Sequence, residues 1–455
     1  MTEKKVECQN CKQTFAIEPD DLGFYEQIKV PAPTWCPPCR RLRRMGWTGY
    51  RILYKRKCDY TGEDIITFYH PAAPYKVYRQ DIWWSDKVDA KTYGREYDFN
   101  RSFFDQFDEL LKSVPLPSLH TEYTTLIESD YCNAAGNLKN SYLVFQSGAG
   151  GARLGHENTA YMHFVEDSRD SADLSFCSEC ELSYECVQCI KCYRALYSTS
   201  CEECYDIYFC EDCTGCTNCI GCVGLRKKSY CIFNKEYSKE EYGKKLREYN
   251  FTSRHNVEKF KEEFKKFAKT VPRKNFHGRH NNGSLGDYLT NTKNVRHSQL
   301  IYNGENIKYS QLIDGPAANI QDNTLFGVNS DWIYDSAWVG LEVNSLKFCF
   351  WNYHAHHLEY CFGCHGSENL FGCVGVRKGS YCILNKQYGK EEYFRIVEKI
   401  KAQMNEMPYI DSKGRSYKYG EFSLPSFLLG RSTSQWPGWA CCRSPKKRHF
   451  PTVSS

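Results

Sequence analysis

The chain has 455 residues, 26 of them cysteine, and a formal net charge of +5. That length exceeds what a single core usually needs, so several structural units are expected. The charge is too small to mark the whole chain as a nucleic-acid binder, and a basic patch that matters must be local.

The first residues, MTEKKVECQNC, are charged, and no run of about 18 apolar residues occurs. Neither export nor membrane insertion is signalled, so no membrane partner and a cytoplasmic location are expected. In a reducing cytosol, dense cysteine points to metal ligation, redox chemistry or burial ahead of disulfides.

Residues 1–57 read as a small zinc head with a basic strip. Cys8-x2-Cys11 and Cys36-x2-Cys39 are two thiolate knuckles, each supplying two corners of a tetrahedron, and together they close a structural Zn2+ site. Pro37 and the basic run after it place the second knuckle on a helix start. Four buried free thiols are the plainer alternative, and the spacing favours metal. Through Cys8, Cys11, Phe15, Phe24, Tyr25, Pro31, Cys36, Pro37, Cys39 and Arg40 the segment resembles the zinc-ribbon or treble-clef family. The resemblance implies a fold for the head and says little about partners.

The strip comprises Arg40, Arg41, Arg43, Arg44, Arg51, Lys55, Arg56 and Lys57, with no acid among them and with Trp47, Tyr50 and Tyr54 interleaved. Charge with aromatics suits RNA or single-stranded DNA. A solvated helix face followed by a strand with inward aromatics accounts for it equally well. Residues 58–99 read as a hairpin-rich connector, in which Cys58, without a second knuckle nearby, is expected to pack.

The rest is one unit written twice, over 100–250 and 251–400. Residues 222–242 match 373–393 at 16 of 21 positions, and Phe103, Phe107, Leu110 and Val114 reappear as Phe260, Phe264, Phe267 and Val271. Each copy opens with an amphipathic helix ended by Val-Pro, and Ser238 is set to cap another. Inside the copies a finer period of 12–13 residues recurs: NVRHSQLI and NIKYSQLI stand twelve apart, and the thirteen cysteines from Cys177 to Cys231 are separated by multiples of three. Strict turn length with small residues in fixed slots predicts a mainly β chain, with two tandem β-solenoid (β-helix) units and short flanking helices after the treble-clef zinc domain. Period alone leaves open whether one turn takes 12 residues or about 24.

Three further groups are candidate sites. Cys210, Cys213, Cys222 and Cys231 recur as Cys361, Cys364, Cys373 and Cys382, which suits either packing or one more metal per copy, with packing favoured. His354, His356, His357 and His365 lie beside Cys361 and Cys364. Glu166, Asp167, Asp170 and Asp173 form an acidic knot of the kind solenoid polysaccharide hydrolases use, although charged turns are commoner. Phosphate-binding, nucleophile-elbow and HExxH motifs are missing. Residues 401–455 are expected to form a poorly ordered tail, in which the adjacent Cys441 and Cys442 suit no single metal.

The zinc head, RILYKRKCDYTGEDI, DIWWSD and GCVGLRKKSYCIFNKEY together resemble a set of cysteine-rich zinc-ribbon proteins of candidate-phyla bacteria. Members of that set often carry a CoA-transferase label, but nothing here resembles the doubly wound fold or catalytic carboxylate such a label implies. The expected function is a zinc-binding scaffold for a macromolecule, RNA or a ribonucleoprotein first, with a solenoid hydrolase, lyase or thiol redox enzyme as the rival.

Overall fold

The computed structural model describes residues 3–46, 49–147, 156–164, 168–176, 181–187 and 191–422. The chain is mainly β, as its patterning predicts, with seven α-helices among the described residues. No helix there is long and apolar enough to cross a membrane.

At the N-terminus β1 (Lys4–Glu7) and β2 (Thr14–Ile17) pair antiparallel. The helix α1 (Pro19–Gln27) follows behind a Glu18/Asp21 capping box, and α2 (Pro37–Met45) is capped by Cys36. Proline in the first turn of each has no helical amide to lose, and its fixed φ suits that position. A second hairpin, β3 (Tyr54–Lys57) with β4 (Asp64–Thr67), leads to the short α3 (Gln80–Trp84).

Two large, almost wholly parallel sheets make up most of the remainder. In the first, residue i pairs with residue i+12 along four lines: Tyr193, Tyr205, Thr217 and Ser229; Leu196, Tyr208, Ile220 and Ile232; Thr199, Glu211 and Val223; and Glu202, Thr214 and Arg226. The lines lie three residues apart, so twelve residues make one four-sided turn. Left-handed backbone marks the corners, with φ between +50° and +56° at Arg194, Tyr197, Ser200, Glu203, Asp206, Phe209 and Asp212. Such a conformation costs a non-glycine residue roughly 1–2 kcal/mol, which the ladder on every side offsets. A three-residue side spans about 10 Å, leaving room for one modest inward side chain. Cys201, Cys204, Ile207, Cys210 and Cys213 fill consecutive inward places, each buried.

The second sheet keeps the step of twelve from Leu346 to Leu358, Leu370 and Cys382, and widens to thirteen from Ile307 through Ile320 and Ile333 to Leu346. This inward column is fully buried and almost entirely aliphatic. Along these stretches paired strands lie 12 or 13 residues apart, not 24; near the start of each sheet the step is 18, as in Tyr142 with Ala160, or 11, as in Gly278 with Leu289.

The helices do not pack where the duplication places them. The helix α4 (Phe103–Ser113) leads into the first sheet, yet Phe103 lies on Tyr360 and Phe371 of the second, with ring centroids 5.0 and 5.2 Å away. After α5 (Lys239–Tyr249), capped by Ser238 as predicted, α6 (Arg254–Ala268) leads into the second sheet but puts Phe260 on Phe209 and Phe233 of the first, at 5.0 and 5.1 Å. Matching glycines leave the room. A Cβ on Gly372 would stand 2.8 Å from Phe103, and one on Gly221 would stand 3.1 Å from Phe260. Each leading helix thus packs on the closing strands of the sheet it does not lead into.

The last helix, α7 (Lys390–Glu406), runs past the expected start of the tail at 401. A hairpin of Tyr409–Ile410 with Ser416–Tyr417 then returns the chain to the head, where Glu421 accepts hydrogen bonds from the Thr34 amide at 2.7 Å and its hydroxyl at 2.6 Å. Residues 401–422 of the expected tail thus form helix and hairpin; its remainder from 423, Cys441 and Cys442 included, lies outside the described residues.

Candidate metal centre

The hairpin β1–β2 turns through a knuckle in which the Cys8 amide donates to Gln13 O and the Lys12 amide to Cys8 O, both at 2.9 Å. Lys12 supplies the left-handed residue, φ +62°. Across from it the Cys36 amide donates to Cys8 Sγ at 3.2 Å, Asn10 Nδ2 to Cys39 Sγ at 3.3 Å, and the Cys11 and Cys36 sulfurs stand 3.7 Å apart. All four sulfurs, of Cys8, Cys11, Cys36 and Cys39, lie within 4.8 Å of one another, and three of the residues are buried. A tetrahedral ion with ~2.3 Å bonds to sulfur holds its ligands roughly 3.8 Å apart, so the group fits one metal ion. Among the described residues no other set of His, Cys, Asp or Glu gathers in this way.

Burial works against ionising Cys8, but the amides of Cys11, Cys36 and Asn10 point at its sulfur and bring its pKa down to about 7. Burial raises Cys36 and Cys39. One ready thiolate beside reluctant ones is a set that a divalent cation completes by displacing the remaining protons. The N-terminus of α2 adds its partial positive charge to the same side.

From this centre α2 runs into the second sheet. Arg40 donates to Asp322 Oδ2 through Nε (2.9 Å) and Nη2 (2.6 Å), and Arg44 reaches Asp322 at 3.0 Å and Asp335 at 2.9 Å. Arg43 pairs with Asp335 and lies 3.6 Å from Glu421. All six side chains are buried. Despite complete burial, the three guanidinium groups hold Asp335 below the ordinary carboxylate range. Phe24 of α1 stacks on Trp332, and Lys308 pairs with Glu18 and Asp21 at 2.8 Å each, extending the seam.

These contacts take Arg40, Arg43 and Arg44 out of the basic strip read as a nucleic-acid surface. Arg40, Arg43 and Arg44 are interior ions. Lys55 and Lys57 both pair with Asp64, Arg56 with Asp59, and Arg41 donates to Gln311. Arg51 is exposed. Tyr50 is buried and bonds Gln146 and His163, while Trp47 lies outside the described residues. The acids that take up the arginines, Asp322 and Asp335, went unnoticed in the sequence. The available signal was an inverted helix: arginines at 40, 43 and 44 share one face, whereas Leu42 is 62% exposed on another.

The other candidates are apportioned differently. Cys210, Cys213, Cys222, Cys231, Cys361, Cys364, Cys373 and Cys382 are all buried, and their thiols point at carbonyls two residues back or nine ahead. These contacts are the hydrogen bonds that packed thiols make inside the turns; burial raises Cys210 and Cys361 well above the usual value, whereas hydrogen bonds with Cys210 and Cys219 bring Cys222 down to about 4. His354, His356 and His357 are exposed, while His365 is packed among Trp84, Trp351 and Tyr353. Burial lowers the His365 pKa to about 3. The imidazoles therefore do not join the neighbouring thiols. Of the acidic knot, Asp170 and Asp173 are exposed, with Asp170 accepting from Asn158 at 2.9 Å, and Glu166 and Asp167 lie outside the described residues.

A scan against protein-family models and a search of curated proteins find no match to this chain.

Proposed function

We propose that this chain is a zinc-dependent β-solenoid scaffold whose treble-clef head uses its metal to set a helix that locks onto the second solenoid unit. The carrying observation is that Cys36 and Cys39 occupy the start of the helix whose next turns bury Arg40, Arg43 and Arg44 against Asp322 and Asp335. Four thiols and a closed tetrahedron favour zinc and a structural role over catalysis. The solenoid reading is supported by parallel pairing at 12 or 13 residues with one inward side chain per side. The partner is a macromolecule, and RNA is the first to test. Exposed tyrosines support it: Tyr131, Tyr142 and Tyr161 meet edge to face at 5.6 and 5.9 Å along the first sheet, and aromatic platforms suit unpaired bases.

Elemental analysis of protein purified under reducing conditions is expected to give one zinc per chain, and none would overturn the reading. Filter binding to single-stranded RNA at two salt concentrations tests the partner: no affinity, or affinity without a salt slope, removes RNA.

A further inference from the structure

Residues 54–84 repeat the hairpin, the knuckle and the helix start of the metal head. Pairing in β1–β2 runs from Lys4 with Ile17 to Glu7 with Thr14, and in β3–β4 from Tyr54 with Thr67 to Lys57 with Asp64, the same register fifty residues on. The knuckle bonds of Cys8 return as Cys58 amide to Glu63 O at 2.8 Å and Gly62 amide to Cys58 O at 2.9 Å. Gly62, φ +73°, takes the left-handed place of Lys12. The Gln9 amide donates to Thr34 O at 3.0 Å, and the Asp59 amide to Val77 O at 3.0 Å. The Cys36 amide on Cys8 Sγ is matched by the Arg79 amide on Cys58 Sγ at 3.3 Å. Cys36 and Arg79 each cap a helix, with Arg40 N on Cys36 O and Trp83 N on Arg79 O, both at 3.0 Å.

In this correspondence Cys58 takes the place of Cys8, Thr61 of Cys11, Arg79 of Cys36 and Ile82 of Cys39. We infer that 54–84 is a second metal head that has lost its metal, keeping one ligand of four while the surrounding backbone retains the ligand-holding shape. The replacements show what holds it closed instead. The Thr61 amide donates to Cys58 Sγ at 3.5 Å, and Arg79 pairs with Asp81 at 2.6 Å and with Glu63, tying the helix start to the hairpin. Ile82 fills the position of a buried sulfur with an apolar side chain, 7% exposed against 6% for Cys39. Cys58 keeps a ligand's surroundings. Burial opposes its ionisation, but hydrogen bonds from Thr61 and the amides of Thr61, Arg79 and Tyr60 outweigh it and lower the thiol pKa. This head is also fastened to the second sheet, through Arg377 donating to Trp84 O at 2.7 Å and to Val88 O at 2.5 Å.

The test is to refill the site in the full-length chain. With Thr61→Cys, Arg79→Cys and Ile82→Cys together, the zinc content is expected to rise by one per chain over wild type, and the cobalt-thiolate absorbance after Co2+ substitution is expected to double. The inference rests on the metal reading of the first quartet, and the two fail separately. The wild-type count tests the first head, and the difference between variant and wild type tests the second. An unchanged count in a variant with wild-type circular dichroism overturns the inference. Should the triple variant not fold, Thr61→Cys/Arg79→Cys presents three thiols with Cys58, and no cobalt-thiolate absorbance beyond wild type has the same meaning.

Discussion

Changing Cys36 and Cys39 together to serine is expected to release the whole head from the second sheet, not merely to empty a metal site. A small knuckle-and-helix unit of this kind has little core of its own, and structural zinc supplies on the order of 10 kcal/mol to such folds. The helix α2 begins on these two ligands, so its register and direction depend on them. Once it frays, Arg40, Arg43 and Arg44 leave Asp322 and Asp335, two carboxylates buried for the purpose of meeting them. The variant should bind no zinc at the head and be cut by protease within residues 20–46, while amides of the first sheet between 193 and 232 keep their protection from hydrogen exchange. Treating wild type with a zinc chelator should give the same cleavage pattern, reversed on adding Zn2+. A doubly substituted chain as protease-resistant as wild type would remove the link between metal and docking.

The second large effect is expected at Asp335. Its side chain meets both Arg43 and Arg44 in the interior, so Asp335→Ala leaves two buried cations short of a counter-charge. Breaking a buried pair from one side costs about 3–5 kcal/mol, because the surviving charge stays desolvated. Chemical denaturation should register a loss of that size. Arg44→Ala combined with Asp335→Ala should lose less than the sum of the single changes, since the cycle removes both charges of one contact. The pH dependence has a definite sign. The folded-state pKa of Asp335 is depressed, so its contribution is complete above the unfolded-state value near 3.9 and declines as pH falls below it. Wild type is therefore expected to lose its advantage over Asp335→Ala on acidification beneath about pH 4. Additive losses in the double variant would show that the two groups do not act on each other.

Much was legible from the residues alone, and the reason is locality. The quartet Cys8, Cys11, Cys36 and Cys39 announces itself because a knuckle needs its two sulfurs within one turn of chain, and Ser238 announces a helix start because a cap acts three residues away. The repeat of twelve was equally visible, since inward residues recur at a fixed spacing, although the spacing did not say whether one or two repeats make a turn. Sequence similarity did not reveal the second head, because Thr61, Arg79 and Ile82 erased the ligand pattern while the backbone hydrogen bonds that define it do not depend on side chains.

The sequence by itself thus determined the mainly β class, the duplication, the 12–13-residue repeat and the four sulfurs of the head. Tertiary structure alone decided that strands pair at one period of 12 or 13 residues along most of both sheets, that each leading helix packs on the other sheet, and that three arginines of the basic strip are interior. Each of these depends on partners far apart in the chain: Arg44 finds Asp322 at a separation of 278 residues, and Phe103 packs against Phe371. Periodicity and spacing report what neighbouring residues do to one another. Whether a charge faces water or a buried counter-charge is set by which distant surface comes to lie against it.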